Sequence, residues 1–230
     1  MEKKYKLTEE TINVCGRTLH RIEALKDFGD VKKGDKGGFI ENENNLSQSG
    51  DCWAYDNVMV YGNANVYGDA KVYYNAEVCG NAKIYDNAKI YDNAEVYETA
   101  KVSGNAKVSG NAMVYGDAVI SDKAKVRMDA KVCGKAKIFD NVRIYDNAKV
   151  YDDVVVYGNA EVYNNAEVFG SAEVYGNAMI YGNAFVCGHA KVCGNAEIYD
   201  NGAVYGDGLV YDNAEIYGDR EVHGNEKVGE

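Results

Sequence analysis

Residues 82–93 read Ala-Lys-Ile-Tyr-Asp-Asn-Ala-Lys-Ile-Tyr-Asp-Asn, the same six residues twice, and this stretch decides the fold. Ala82, Lys83, Ile84 and Tyr85 alternate apolar and charged, then apolar and aromatic, the period-2 signature of a strand with one buried face. Asp86-Asn87 then turns the chain. A helix is excluded by the spacing. Residues six apart rotate by roughly 600° at 3.6 residues per turn, so the aliphatic residues would spiral round a helix instead of forming a stripe.

Working outward, the hexad never misses. Every sixth position from Val60 to Val228 holds Val or Ile, 29 times, and the slot two residues earlier, from Ala64 to Ala214, holds 22 Ala, with Val142, Val154, Gly202 and Gly208 completing it. Strict internal repetition outranks local propensity. Tyr shares its side of each strand with Lys or Glu, whereas Val or Ile shares its side with Ala. The aliphatic and Ala columns therefore point inward and Tyr outward. Asn or Asp fills the last turn slot in 24 of its 29 occurrences, the expected residues for a corner in the left-handed region.

The spacing Val66-Tyr67-Gly68-Asp69-Ala70-Lys71, an aliphatic followed four positions later by a small residue, resembles the hexapeptide repeat of left-handed parallel β-helices. The Tyr departs from that family, which usually has Gly or another small or acidic residue there. Among its members the chain looks most like the Tyr-rich β-helix proteins of phage and prophage genomes, some labelled putative acyltransferases. The resemblance implies an all-β, left-handed, triangular solenoid with three hexads per coil. Steps of 18 along the chain support that coil: Lys71, Lys89, Lys107, Lys125 and Arg143 fall on one face, and Asp117, Lys135 and Asp153 alternate in sign at one corner. About ten coils at ~4.8 Å give a rod roughly 45 to 50 Å long.

The first 39 residues are not repeat and read as a hairpin or capping segment, with 40–230 as the β-helix. Tyr5-Lys6-Leu7 and Arg17 to Ile22 suggest two strands around Cys15-Gly16, or a strand followed by a short helix through Ala24-Leu25. The repeat can be traced back through Val58, Cys52, Leu46 and Ile40 in the small-residue slot, with Gln48 and Asn42 in the aliphatic one, which reads as a polar capping coil. At the far end Arg220 and Glu226 fall in the inward small slot, so the regular prism is expected to end near Ile216. The Gly-rich passage through Gly29, Gly34, Gly37 and Gly38 contains no phosphate-cradle motif.

None of the six cysteines has a partner 18 residues away, so no disulfide and no metal site is expected. Cys79, Cys133 and Cys187 stand in the Tyr slot, which suits a reducing compartment. With no apolar leader or membrane-length run, a cytoplasmic location is expected, in a bacterium or a phage-infected host.

The net charge of −11 is unevenly spread. Residues 101–149 carry ten basic against five acidic residues, and 150–230 carry three against fourteen. An acidic total argues against non-specific duplex binding; the basic waist reads either as a solvated face with drifting repeats or as a docking surface for an anionic macromolecule, with Lys71, Lys89, Lys107, Lys125, Arg127 and Arg143 as its cations. Met113, Met179, Phe185 and Leu209 intrude into the outward Lys/Glu slot and are the expected contacts of a homo-oligomer, a dimer or trimer. The tyrosine columns read as structural ladders, with exposed stacks for binding flat rings or sugars as the alternative.

For function, the leading expectation is a non-enzymatic binding protein that presents a rigid acidic rod to a partner, such as a phage-encoded antagonist of a host enzyme, with no cofactor. The family resemblance carries the alternative, an acyltransferase using acetyl-CoA or another acyl-CoA. Its candidate would be His189, with Ser171 and Asp207 in the same corner column, although no loop breaks the repeat to hold a cofactor. A structural or ligand-sequestering assembly is a third possibility.

Overall fold

Tyr5–Val14 (β1) and Arg17–Ala24 (β2) form an antiparallel hairpin whose turn residues, Cys15 and Gly16, both have positive φ. In the computed structural model, which describes residues 2–229, the strand Lys36–Ile40 (β3) follows and lies antiparallel to β2 on one edge and parallel to the first repeat strands on the other. Thirty two-residue strands then run from Trp53–Ala54 (β4) to Lys227–Val228 (β33). They stack in three parallel sheets in which each strand pairs with the third one after it, 18 residues on, as Lys89↔Lys107 and Ile90↔Val108 do. The hairpin extends one of these sheets to thirteen strands; the other two have ten each.

The inward assignment holds. Val126, Ile144, Ala124 and their column-mates are fully buried, as are Val142 and Val154 in the Ala column. Each coil hydrogen-bonds to the next through its backbone, as in Lys89 N–H to Ala106 O at 2.9 Å and Tyr91 N–H to Val108 O at 3.0 Å.

The corners correct one expectation. Positive φ falls on the first turn slot, occupied by residues such as Gly110, Asp122 and Gly134, and not on the Asn of the last slot. Asn has a different role there. Its Nδ2 donates to the Oδ1 of the residue 18 further on, as in Asn75 to Asn93 (3.3 Å), Asn93 to Asn111 (3.2 Å) and Asn177 to Asn195 (2.9 Å), so the corners carry amide ladders. Aspartates in the left-handed slot cap the next coil: Asp86 Oδ2 accepts from Gly104 N–H (3.1 Å) and Asp140 Oδ2 from Gly158 N–H (3.0 Å).

The N-terminal register also differs. Ile40 lies beside Val60 and Leu46 beside Val66, which puts both in the aliphatic column instead of the small slot, whereas Ala54 pairs with Val72 at the regular interval. Two extra residues between Leu46 and Cys52 account for the slip. They free Gln48 from the rod, and its Oε1 accepts from Lys4 N–H (2.8 Å). Asn42 caps a short 3₁₀ turn, Glu43–Asn45, and buried Asn45 donates Nδ2 to Gly62 O (3.0 Å) and Ala64 O (2.9 Å). The N-terminal segment packs on the first coils: the rings of Tyr5 and Phe28 lie edge-on to Trp53 at 6.1 and 5.4 Å, and Lys4 Nζ, buried, donates to the carbonyls of Gly50 and Cys52. Burial lowers the Lys4 pKa.

The strand ladder continues beyond Ile216 to Val228. Arg220 and Glu226 are exposed. All six cysteines are free. Among the described residues no helix is long and apolar enough to cross a membrane.

Candidate functional site

One ten-stranded sheet, from Trp53–Ala54 to Glu215–Ile216, is called the lysine face here. Its outward column runs in register through Lys71, Lys89, Lys107, Lys125 and Arg143 to Glu161. The inward Val and Ile of these two-residue strands fix the cations outward, and the parallel pairing sets them at the strand spacing of ~4.8 Å. Like charges directly opposed across strands destabilise a sheet.

Elsewhere like charges meet no more than two in succession, as Lys83↔Lys101 and Glu77↔Glu95 do, and some cations pair along their columns. Lys149 reaches Glu167 at 2.7 Å and Lys191 reaches Glu173 at 3.2 Å. On the lysine face only the two ends of the cationic run are neutralised: Lys71 pairs with Asp30 of the N-terminal segment, and Arg143 Nη1 lies 2.7 Å from Glu161. Lys89, Lys107 and Lys125 have no carboxylate partner among the described residues.

A groove of about 550 Å³ runs beside these three, between the cationic column and the corner column Asn87, Asn105, Lys123, Asn141. Lys123 interrupts the corner ladder, which resumes where Asn141 donates to Asn159 at 3.1 Å. On either side the aromatic columns are broken: Ser103 and Ser121 replace Tyr before the corner, and Ser109 and Arg127 replace it after the lysines. Ser103 and Ser109 are buried, so the surface steps down where the cations concentrate. Asp122 and Asp140 stand on the far side of the corner, beside Lys123.

Arg127 does not line the groove. Its guanidinium lies 5.5 Å from the Tyr145 ring, and its Nε is buried without a hydrogen-bond partner. Lys71 is likewise outside, held by Asp30. Of the six cations expected to dock a partner, four line one groove. Lys123 belongs with them, and the sequence signal for it was a cation breaking an Asn column at the coil interval.

The tyrosines stack from coil to coil with ring centroids about 4.9 Å apart, as in Tyr145–Tyr163 and Tyr163–Tyr181. Their hydroxyls donate to the glutamates of the next coil, Tyr145 to Glu161 at 3.0 Å, Tyr181 to Glu197 and Tyr199 to Glu215 at 2.9 Å. These contacts raise the phenol pKa. The bond to Glu215, then desolvation, pushes Tyr199 to about 12, and desolvation followed by the Glu167 charge pushes Tyr151 to about 12. The folded state therefore holds these protons more tightly than the unfolded chain, where Tyr titrates near 10. Stability that is complete below pH 10 should be lost as pH rises towards 12. Tyrosinate absorbance followed through that range should show a midpoint above that of a free tyrosine, with urea midpoints falling over the same interval. Titration at the free-tyrosine position would contradict the ladder.

The catalytic candidates are not assembled. His189, Ser171 and Asp207 are exposed at one corner, one coil apart, and among the described residues no hydrogen bond joins their side chains. The concavity on that corner is lined by Lys135, Asp153 and Ser171 and does not include His189.

The apolar outward residues fall on three different sheets. Met179 is on the lysine face, Met113 and Phe185 are on the hairpin-bearing sheet, and Leu209 is on the third, so the four form no single patch. Phe185 packs 6.3 Å from Tyr205.

Three stretches, residues 106–122, 142–158 and 172–188, match the YdcK beta solenoid repeat family. The rod's repeat is similar to that of YdcK. The first two of these stretches carry Lys107, Lys123-flanking Asp122 and Arg143, the region of the groove. A 38-residue segment, 16% of the chain, is 50% identical to the protein of Escherichia coli strain K12 described as "uncharacterized acetyltransferase YdcK". The match spans 12% of that protein's length, and the acetyltransferase description belongs to that protein. The resemblance to hexapeptide β-helix proteins with acyltransferase labels thus stands.

Proposed function

We propose that the chain is a non-catalytic interaction rod that docks an acidic partner surface on its lysine face. The observation that carries this reading is the in-register run of Lys89, Lys107 and Lys125, three successive coils of cations without a carboxylate partner, in a protein that elsewhere stacks no more than two like charges and is acidic overall. Three like charges held side by side cost stability, and a partner's carboxylates offset that cost. The acidic remainder of the rod repels polyanions that approach elsewhere, which gives selectivity and orientation to docking.

A fluorescein-labelled poly-glutamate peptide tests it by anisotropy. Binding should weaken with added salt and fall about tenfold in Lys107→Ala/Lys125→Ala. Equal affinity in the double variant would overturn the assignment of the face.

The second reading, acyl transfer, is favoured by the name of the YdcK relative. Against it stand the exposed corner position of His189 and the lack of a hydrogen-bonded base or nucleophile beside it.

A further inference from the structure

The lysine face changes sign at its middle. Beyond Arg143 the same outward column continues as Glu161, Met179, Glu197 and Glu215. Neither of the other two sheets divides in this way: the third keeps Lys83, Lys101, Lys137, Lys191 and Lys227 along most of its length, and the hairpin-bearing sheet has glutamates at both ends. A column that is basic in one half and acidic in the other is complementary to its own reverse.

Resting on the docking reading above, we propose that the acidic partner of the lysine face is a second copy of this chain, packed antiparallel about a two-fold axis. That axis lies in the face, along the strand direction, between the strands Arg143–Ile144 and Glu161–Val162. Such a rotation reverses the rod but keeps each column opposite itself. Arg143 then faces the partner copy's acidic position at 161, Lys107 the one at 197 and Lys89 the one at 215, while the Lys125 stem lies over the methionine at 179. A partner built from the same coils carries carboxylates that repeat at the lysine spacing.

Two further observations fit. The receiving glutamates are held in place by Tyr145, Tyr181 and Tyr199 hydroxyls, so little side-chain freedom is lost on pairing. In the neighbouring aromatic column the same axis brings Arg127 opposite the ring at 181 and small Ser109 opposite the ring at 199, so the breaks in the ladder receive rings from the other rod. The paired strip measures about 34 by 13 Å, on the order of 450 Å² of face on each rod, at the small end of specific interfaces. The dimer is therefore weak and salt-sensitive.

Sedimentation equilibrium of the full chain over rising protein and salt concentration reads it directly. The native protein should pass from monomer to dimer, and 1 M salt should return it to monomer. Lys107→Glu and Glu197→Lys should each weaken the dimer about tenfold or more. The charge-swapped double variant, Lys107→Glu/Glu197→Lys, should recover most of the loss. These two positions are five coils apart on one rod, so only a contact between copies can produce that rescue. Both substitutions are outward, and unchanged circular dichroism verifies folding. A native protein that stays monomeric, single variants that dimerise normally, or a double variant without rescue would overturn the two-fold pairing. If the monomeric protein still binds labelled poly-glutamate through Lys107 and Lys125, only the self-pairing fails; if it binds none, the docking reading fails with it.

Discussion

Val126→Asp should destabilise the rod by about 5 kcal/mol, enough to abolish cooperative melting in the coils around it. Val126 is fully buried between Val108 and Ile144 of the neighbouring coils. The substitution removes an aliphatic group worth about 1.5–3 kcal/mol of burial and places a carboxyl in its stead. Nothing inside the prism can receive it. The buried polar residues are Lys4 and Asn45 at the N-terminal end and Ser103 and Ser109 in the outward Tyr slot. Because a solenoid is stabilised by contacts between neighbouring coils, the damage should separate the rod into two halves. Lys125→Ala, one residue away but outward, should change the melt by no more than about 0.5 kcal/mol. Thermal melts followed by circular dichroism decide it, and similar midpoints for the two variants would contradict the inward assignment.

Gly134→Val should cost about 3 kcal/mol, through the corner and not the core. Gly134 sits at φ +67°, and a Cβ there would lie 2.5 Å from the backbone N of Asp152 in the next coil. A β-branched side chain adds the strain of the left-handed region to that clash. Gly134→Asp should be milder. Asp122 and Asp140 already hold this slot in successive coils of another corner, at φ 57° and 61°. A carboxylate at 134 could also accept the Asp152 N–H, as Asp152 accepts that of Gly170 at 3.1 Å. Urea midpoints that rank the two variants equally would show that side-chain shape at the corner does not matter.

The prism was legible in the sequence because its signal is redundant. Each Val or Ile repeats its neighbour's message, and one residue such as Val142 or Gly202 in the Ala column cannot blur it. The N-terminal coil was misplaced for the converse reason. It occurs once, and the two-residue slip after Leu46 leaves an apparently regular count while moving Ile40 and Leu46 to a different column. The Asn of the corners reads as a turn residue, but its work is lateral: a side-chain ladder between coils cannot be read from a pattern along one coil. The same limit applies to the candidate site. The stripe from Lys71 to Arg143 follows from steps of 18, yet which lysines are free depends on Asp30, brought in by the N-terminal segment, and on Glu161 one coil beyond.

On the docking proposal the rod works through a face and not through a catalytic corner. The most direct measurement is acetyl transfer by the purified chain, with acetyl-CoA in excess and a panel of hydroxyl and amine acceptors, for the native protein and His189→Ala. Thiol release should stay at the buffer rate in both. Turnover by the native protein that disappears in His189→Ala would contradict the account.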